Sequence, residues 1–203
     1  LVVNGTLTLT AGQVVNGTVN ALGNVVLAST FGGGNTNITF GGSTDQTFAN
    51  NGGVNPNGNW TIDKSGGRVT LLTDLILDQP INIPSGELNQ GPGSNLRAGA
   101  ITVGVAGVWR DNGSGRITLG GDVSNAGTID LDGGTTVCGE ADSVLIRSTA
   151  FGTQRLWTGP GTFKVEDVDV MDQAGTASIT VFSSTNSGNN GANWIFNSGC
   201  SLN

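Results

Sequence analysis

The chain has 203 residues, 35 of them Gly, with a net charge of −7 and neither His nor Tyr. Only 11% of residues are charged and mean hydropathy is +0.00, unlike a disordered chain, which combines high net charge with few apolar residues. The acidic balance excludes the basic stripes that nucleic acid and anionic membrane surfaces recruit, and no apolar run approaches the roughly 18 residues of a spanning helix.

The chain opens Leu1-Val2-Val3 without Met or leader, as a mature form or an excised piece would. Thr6-Leu7-Thr8-Leu9-Thr10 then alternates polar and apolar residues. The alternation returns at Asn37-Ile38-Thr39-Phe40, Trp60-Thr61-Ile62-Asp63, Val69-Thr70-Leu71 and Ile101-Thr102-Val103, and again at Arg116-Ile117-Thr118-Leu119, Thr128-Ile129-Asp130-Leu131 and Ser178-Ile179-Thr180-Val181. A period of two puts the apolar set on one side of a strand and Thr, Asn or Asp on the other. Turn formers separate these runs: Asn4-Gly5, Asn16-Gly17, Gly32-Gly33-Gly34, Gly66-Gly67, Gly120-Gly121 and Gly133-Gly134. No stretch carries helical periodicity.

One phrase recurs. Asn-Gly-Thr-Leu-Thr-Leu at 4–9 is echoed at 16–20, 115–119 and 126–131, which suits coils of roughly 20 residues stacked so that each covers the next. The expected fold is all-β, a single parallel β-helix (β-solenoid) over residues 1–203, with closing coils and a C-terminal cap over 150–203. Gly86 to Gly99 reads as a corner or excursion within that solenoid. Asn186 to Asn193 reads as a loop before Trp194-Ile195-Phe196 returns as a terminal strand.

Two segments carry a family resemblance. Asn59-Trp60-Thr61-Ile62-Asp63-Lys64-Ser65-Gly66-Gly67-Arg68-Val69-Thr70-Leu71 resembles a phrase of large secreted bacterial surface proteins. Leu156-Trp157-Thr158-Gly159-Pro160-Gly161-Thr162-Phe163, Val168-Asp169-Val170-Met171-Asp172 and Ser187-Gly188-Asn189-Asn190-Gly191-Ala192-Asn193-Trp194-Ile195-Phe196 resemble their closing module. Such proteins are similar to autotransporter passengers and filamentous-haemagglutinin-like adhesins. The resemblance implies a right-handed parallel β-helix and an extracellular or cell-surface location. It transfers no catalytic residue.

Candidate sites are few. Asp130 and Asp132 flank Leu131 and should point outward together. Glu166, Asp167, Asp169 and Asp172 form the densest acidic group; oxygen-rich clusters suit Ca²⁺, and Asp167 with Asp169 is the metal pair to test, against the plainer reading of solvated strand-edge carboxylates. Phe163 and Val165 run out of phase with Val168 and Val170, which demands a bend near Glu166. Trp109 and Trp157 are candidate glycan contacts, whereas Trp60 and Trp194 alternate with core residues. Cys138 and Cys200 suit either a disulfide or two separate buried thiols; without His or a CxxC pair, zinc is not expected.

The resemblance, with no catalytic motif in the sequence, therefore implies a non-enzymatic stalk, adhesive surface or filament-forming module without catalytic residues or an obligatory cofactor. Its expected partners are copies of itself stacked end to end, or a host or environmental glycan or protein surface. Nucleic acid and membrane insertion are not expected. The alternative is a carbohydrate-active β-helix, a polysaccharide lyase or glycan binder, with Arg147 or Arg155 as candidate bases beside the acidic group.

Overall fold

The computed structural model describes residues 1–134 and 144–199. Short strands stack in parallel as a β-solenoid of about 8 turns, with no helix among the described residues. Partners in successive turns lie 17 to 23 residues apart over most of the chain, matching the recurrence of the sequence phrase.

Three faces form each turn. Three long strands, Trp60–Leu71, Ile81–Gln90 and Ile101–Asn112, pass through a corner and join the first two faces into one 16-stranded sheet. The third face is a six-stranded sheet from Leu75–Ile76 to Thr185–Gly188, and the pair Gly12–Val14 with Phe31–Gly34 takes the equivalent place in the first turns. Here the structure departs from the sequence expectation. Gly66-Gly67, expected as a break between strands, runs inside Trp60–Leu71, where the register against Ile81–Gln90 shifts at the corner. Hydrogen bonding to the neighbouring turns keeps the bent segment extended.

Cross-turn register builds the core in rows. On the first face Val19, Ile38, Trp60, Ile81, Ile101, Val123 and Trp157 lie one over another, pointing inward. Between them the outward row reads Asn20, Thr39, Thr61, Asn82, Thr102, Ser124 and Thr158. The second face buries Val69, Leu88, Trp109 and Ile129; the third stacks Leu75, Leu96, Ile117, Ile146 and Val170. Each such side chain contributes about 1.5–3 kcal/mol by leaving water, but only when another turn covers it. The rows explain why the same short phrase returns.

Asn and Asp tie one turn to the next at the corners. Side-chain oxygens of Asn24, Asp45, Asp74, Asn95 and Asp122 accept the backbone N–H of Thr47, Arg68, Asn95, Arg116 and Leu156 at 2.9–3.1 Å. These bonds occupy backbone donors where the chain turns out of the ladder. Two corners need glycine outright. A Cβ on Gly159 (φ +103°) would lie 2.1 Å from the Asn125 carbonyl oxygen, and one on Gly175 (φ +131°) 2.0 Å from that of Trp157.

The bend expected near Glu166 falls at Asp167. It adopts φ +48° between Thr162–Glu166 on the second face and Val168–Met171 on the third, so Val165 and Val168 both point inward despite their odd spacing.

Candidate functional site

The outward side of the second face carries the densest polar chemistry. Successive turns place Asn89, Arg110, Asp130 and Lys164 in one register column. Arg110 bridges two carboxylates, with Nη1 2.7 Å from Asp130 Oδ2 and Nε 3.4 Å from Glu87 Oε1. A parallel column runs Asn112, Asp132, Glu166 and Phe182. The two columns border a cleft of about 420 Å³ lined by Arg110, Asp130, Asp132, Lys164, Glu166 and Phe182 among others.

Asp130 and Asp132 do share the outer side, because Leu131 between them is fully buried. Burial raises the pKa of Asp132, and the nearby charges of Glu166, Asp167 and Asp130 push the same way; a hydrogen bond from the Gly134 N–H (3.0 Å) opposes them. Raised carboxyl pKa values in a cleft are what general-acid chemistry uses. The cleft also holds Arg110 and Lys164, so its field is mixed.

Asp167 and Asp169 are set apart by the corner. Asp167 is buried at the bend. Asp169 belongs to the third face, where its Oδ2 lies 2.7 Å from Arg147 Nη2 and its Oδ1 accepts a hydrogen bond from Ser187 Oγ at 2.5 Å. Among the described residues no group of three or more His, Cys, Asp or Glu side chains gathers as a metal site. Arg147 is thus engaged by Asp169, while Arg155 donates to the hydroxyls of Ser148 (2.9 Å) and Thr149 (3.2 Å). Asp172, the last of the acidic group, is buried and accepts from the Gly152 N–H and from Asn189 Nδ2.

Trp109 and Trp157 require a correction. Both are fully buried in the core, so neither offers a ring face to a glycan at these positions. Trp109 lies over Ile129 in register, and both belong to the inward set. Trp60 and Trp194 are also in the core. Cys138 and Cys200, the candidate disulfide, lie outside the described residues.

A second concavity was not anticipated. A groove of about 660 Å³ follows the corner between the second and third faces, edged by Val54, Leu72, Ile76, Asn55, Asp74 and Pro92. Val54, Leu72 and Ile76 are exposed apolar side chains, and Asn55 Nδ2 donates to the Ile76 carbonyl at 3.0 Å. Leu72 and Ile76 flank one corner while Val54 comes from the preceding turn, so no local pattern announced the three together.

Fold and surface together define a parallel β-solenoid. No match was found among protein-family models, curated proteins or solved structures.

Proposed function

We propose that this chain is a non-enzymatic structural or adhesive β-solenoid, acting as a stalk, surface or filament-forming module outside the cell. The observation that supports it is the outward row from Asn20 to Thr158, seven turns of short, uncharged, hydrogen-bonding side chains. Such a face stays hydrated, resists nonspecific apolar association and presents repeated weak contacts, which gain strength through multivalency. Resemblance to the phrases of large bacterial surface proteins supports the extracellular setting. Strand stacking supports end-to-end self-association, since head-to-tail contacts that do not close propagate as filaments.

A carbohydrate-active reading is favoured by one feature, the cleft holding Asp130, Asp132 and Glu166. Paired carboxylates can serve as acid and base in glycoside cleavage. A reducing-sugar assay across acidic and neutral polysaccharides, run beside glycan-array binding, separates the two. Turnover that Asp132→Asn and Glu166→Gln abolish would overturn the structural reading. Binding without turnover supports an adhesive role, and electron micrographs of the purified chain distinguish isolated rods from filaments.

A further inference from the structure

Of the buried glutamines, Gln46 and Gln90 each meet a titratable side chain from the following turn. Gln46 Nε2 donates to the carbonyls of Ala21 (2.9 Å) and Gly23 (2.6 Å), and its Oε1 accepts from Lys64 Nζ at 2.5 Å. That amine also donates to the Gly41 carbonyl at 3.2 Å. Every strong group in this pair has a partner.

The second pair repeats the arrangement with one partner missing. Gln90 Nε2 donates to the Ser94 carbonyl at 2.7 Å, but Gln90 Oε1 meets no donor. Asp111 lies over Gln90 in register. It is fully buried, and neither carboxyl oxygen has a hydrogen-bond partner. The two ends converge on a corner left open by Gly115, where a Cβ would sit 3.0 Å from Gln90 Nε2 and 3.4 Å from Asp111 Oδ2. Acceptor oxygens gathered in a core without a donor are costly. A single proton on the carboxyl turns one of them into the donor that the others lack.

We propose that Asp111 is held as a neutral carboxylic acid donating to Gln90 Oε1, so that this turn is clasped in acid and loosened as the pH rises. The surroundings contain nothing that would favour the ionised form. Leu88 and Gln90 face it from the preceding turn, Ile129 and Leu131 from the following one, and Trp109 from its own strand. The charged groups on those strands, Glu87, Arg110, Asp130 and Asp132, line the opposite, outer side; Arg116 on the next strand is exposed, and Lys64, buried in the turn before Gln90, serves Gln46. Burial alone raises the Asp111 pKa to about 8.

The sign follows from proton counting. The folded chain keeps this proton up to about pH 8, whereas the unfolded chain releases it near the ordinary value of 3.8. Between those limits the folded state binds more protons, so stability declines as pH rises and levels off above about 8.

The test compares thermal unfolding of the wild-type full chain and Asp111→Asn at about pH 5 and about pH 9. Asparagine keeps the shape and a donor but cannot ionise. The wild type should lose stability between the two, and Asp111→Asn should lose much less and exceed the wild type at the higher pH. Parallel losses in both proteins overturn the proposal. Infrared spectroscopy of the wild type gives an independent reading, even if the variant does not fold: a protonated-carboxyl band at neutral pH supports the clasp and its absence overturns it. Stabilisation by Ca²⁺ or Na⁺ that Asp111→Asn abolishes would assign the oxygens to a cation instead.

Discussion

The indoles of Trp109 and Trp157 stack with centroids 6.1 Å apart and planes 17° from parallel. They arrive from different faces of the solenoid, and Trp194 closes against Trp157 edge-on at 5.2 Å and 87°. This aromatic column fills the later turns, where one ring does the packing of several aliphatic side chains.

Trp157→Ala should therefore destabilise the chain by about 3–5 kcal/mol. Leu156→Ala, at the exposed neighbouring position, should change stability by about 0.5 kcal/mol or less. Midpoints of urea unfolding measure both. Replacing each indole by Phe should separate them further. Trp157 Nε1 donates to Gln173 Oε1 at 2.8 Å, whereas Trp109 Nε1 is buried without a partner, so Trp157→Phe should cost more than Trp109→Phe.

The Gly175 corner makes a sharper case. Gly175→Ala combines a positive φ with a Cβ 2.0 Å from backbone, while Gly152→Ala meets only the positive φ, in open space. The Gly152 variant should lose about 1 kcal/mol and the Gly175 variant clearly more. Thermal midpoints of the two side by side check the ordering.

Corner carboxylates should prove structural. Asp74 Oδ1 and Oδ2 accept from the backbone N–H and Nδ2 of Asn95 at 2.9 and 3.0 Å. Asp74→Ala should cost about 1 kcal/mol, and Asp74→Asn, which keeps the acceptor, about half of that or less. Hydrogen exchange at the Asn95 amide reports the loss locally.

Lys64 should shape the alkaline limb of the stability profile. Burial lowers its pKa below the ordinary 10.5, with the charge of Asp45 opposing. The unfolded chain then holds more protons between the folded value and 10.5, so this group's contribution to stability rises with pH across that window. Lys64→Met should remove the rise. Denaturant titrations on the alkaline side measure it, and the direction is opposite to that expected from Asp111 and Asp132.

Much of the architecture was legible from local pattern. Thr128 to Leu131 alternates, and the strand found there buries Ile129 and Leu131 while Asp130 turns outward. The mismatch between Val165 and Val168 announced a bend that Asp167 makes. The site chemistry was less legible. Asp111 follows Trp109 at the inward spacing, yet a charged residue in that phase reads as a solvated edge until its neighbours are known. The glycan expectation at Trp109 and Trp157 failed for the same reason, since an aromatic side chain in a strand does not declare which side will be covered.

Alternation and glycine placement specify strands and corners because they act on a residue and its immediate neighbours through backbone sterics and side-chain direction. That information is complete within a few residues and sufficed for an all-β chain; the stacking was legible only because one phrase recurs along the sequence. Which side chains meet depends instead on how many residues each turn spends at its corners. That count decides that Asp111 lands on Gln90, that Lys64 reaches Gln46, and that Val54, Leu72 and Ile76 share a groove. Partners some 20 residues apart are chosen by cross-turn register, so burial, protonation and surface chemistry were settled only when the turns stacked.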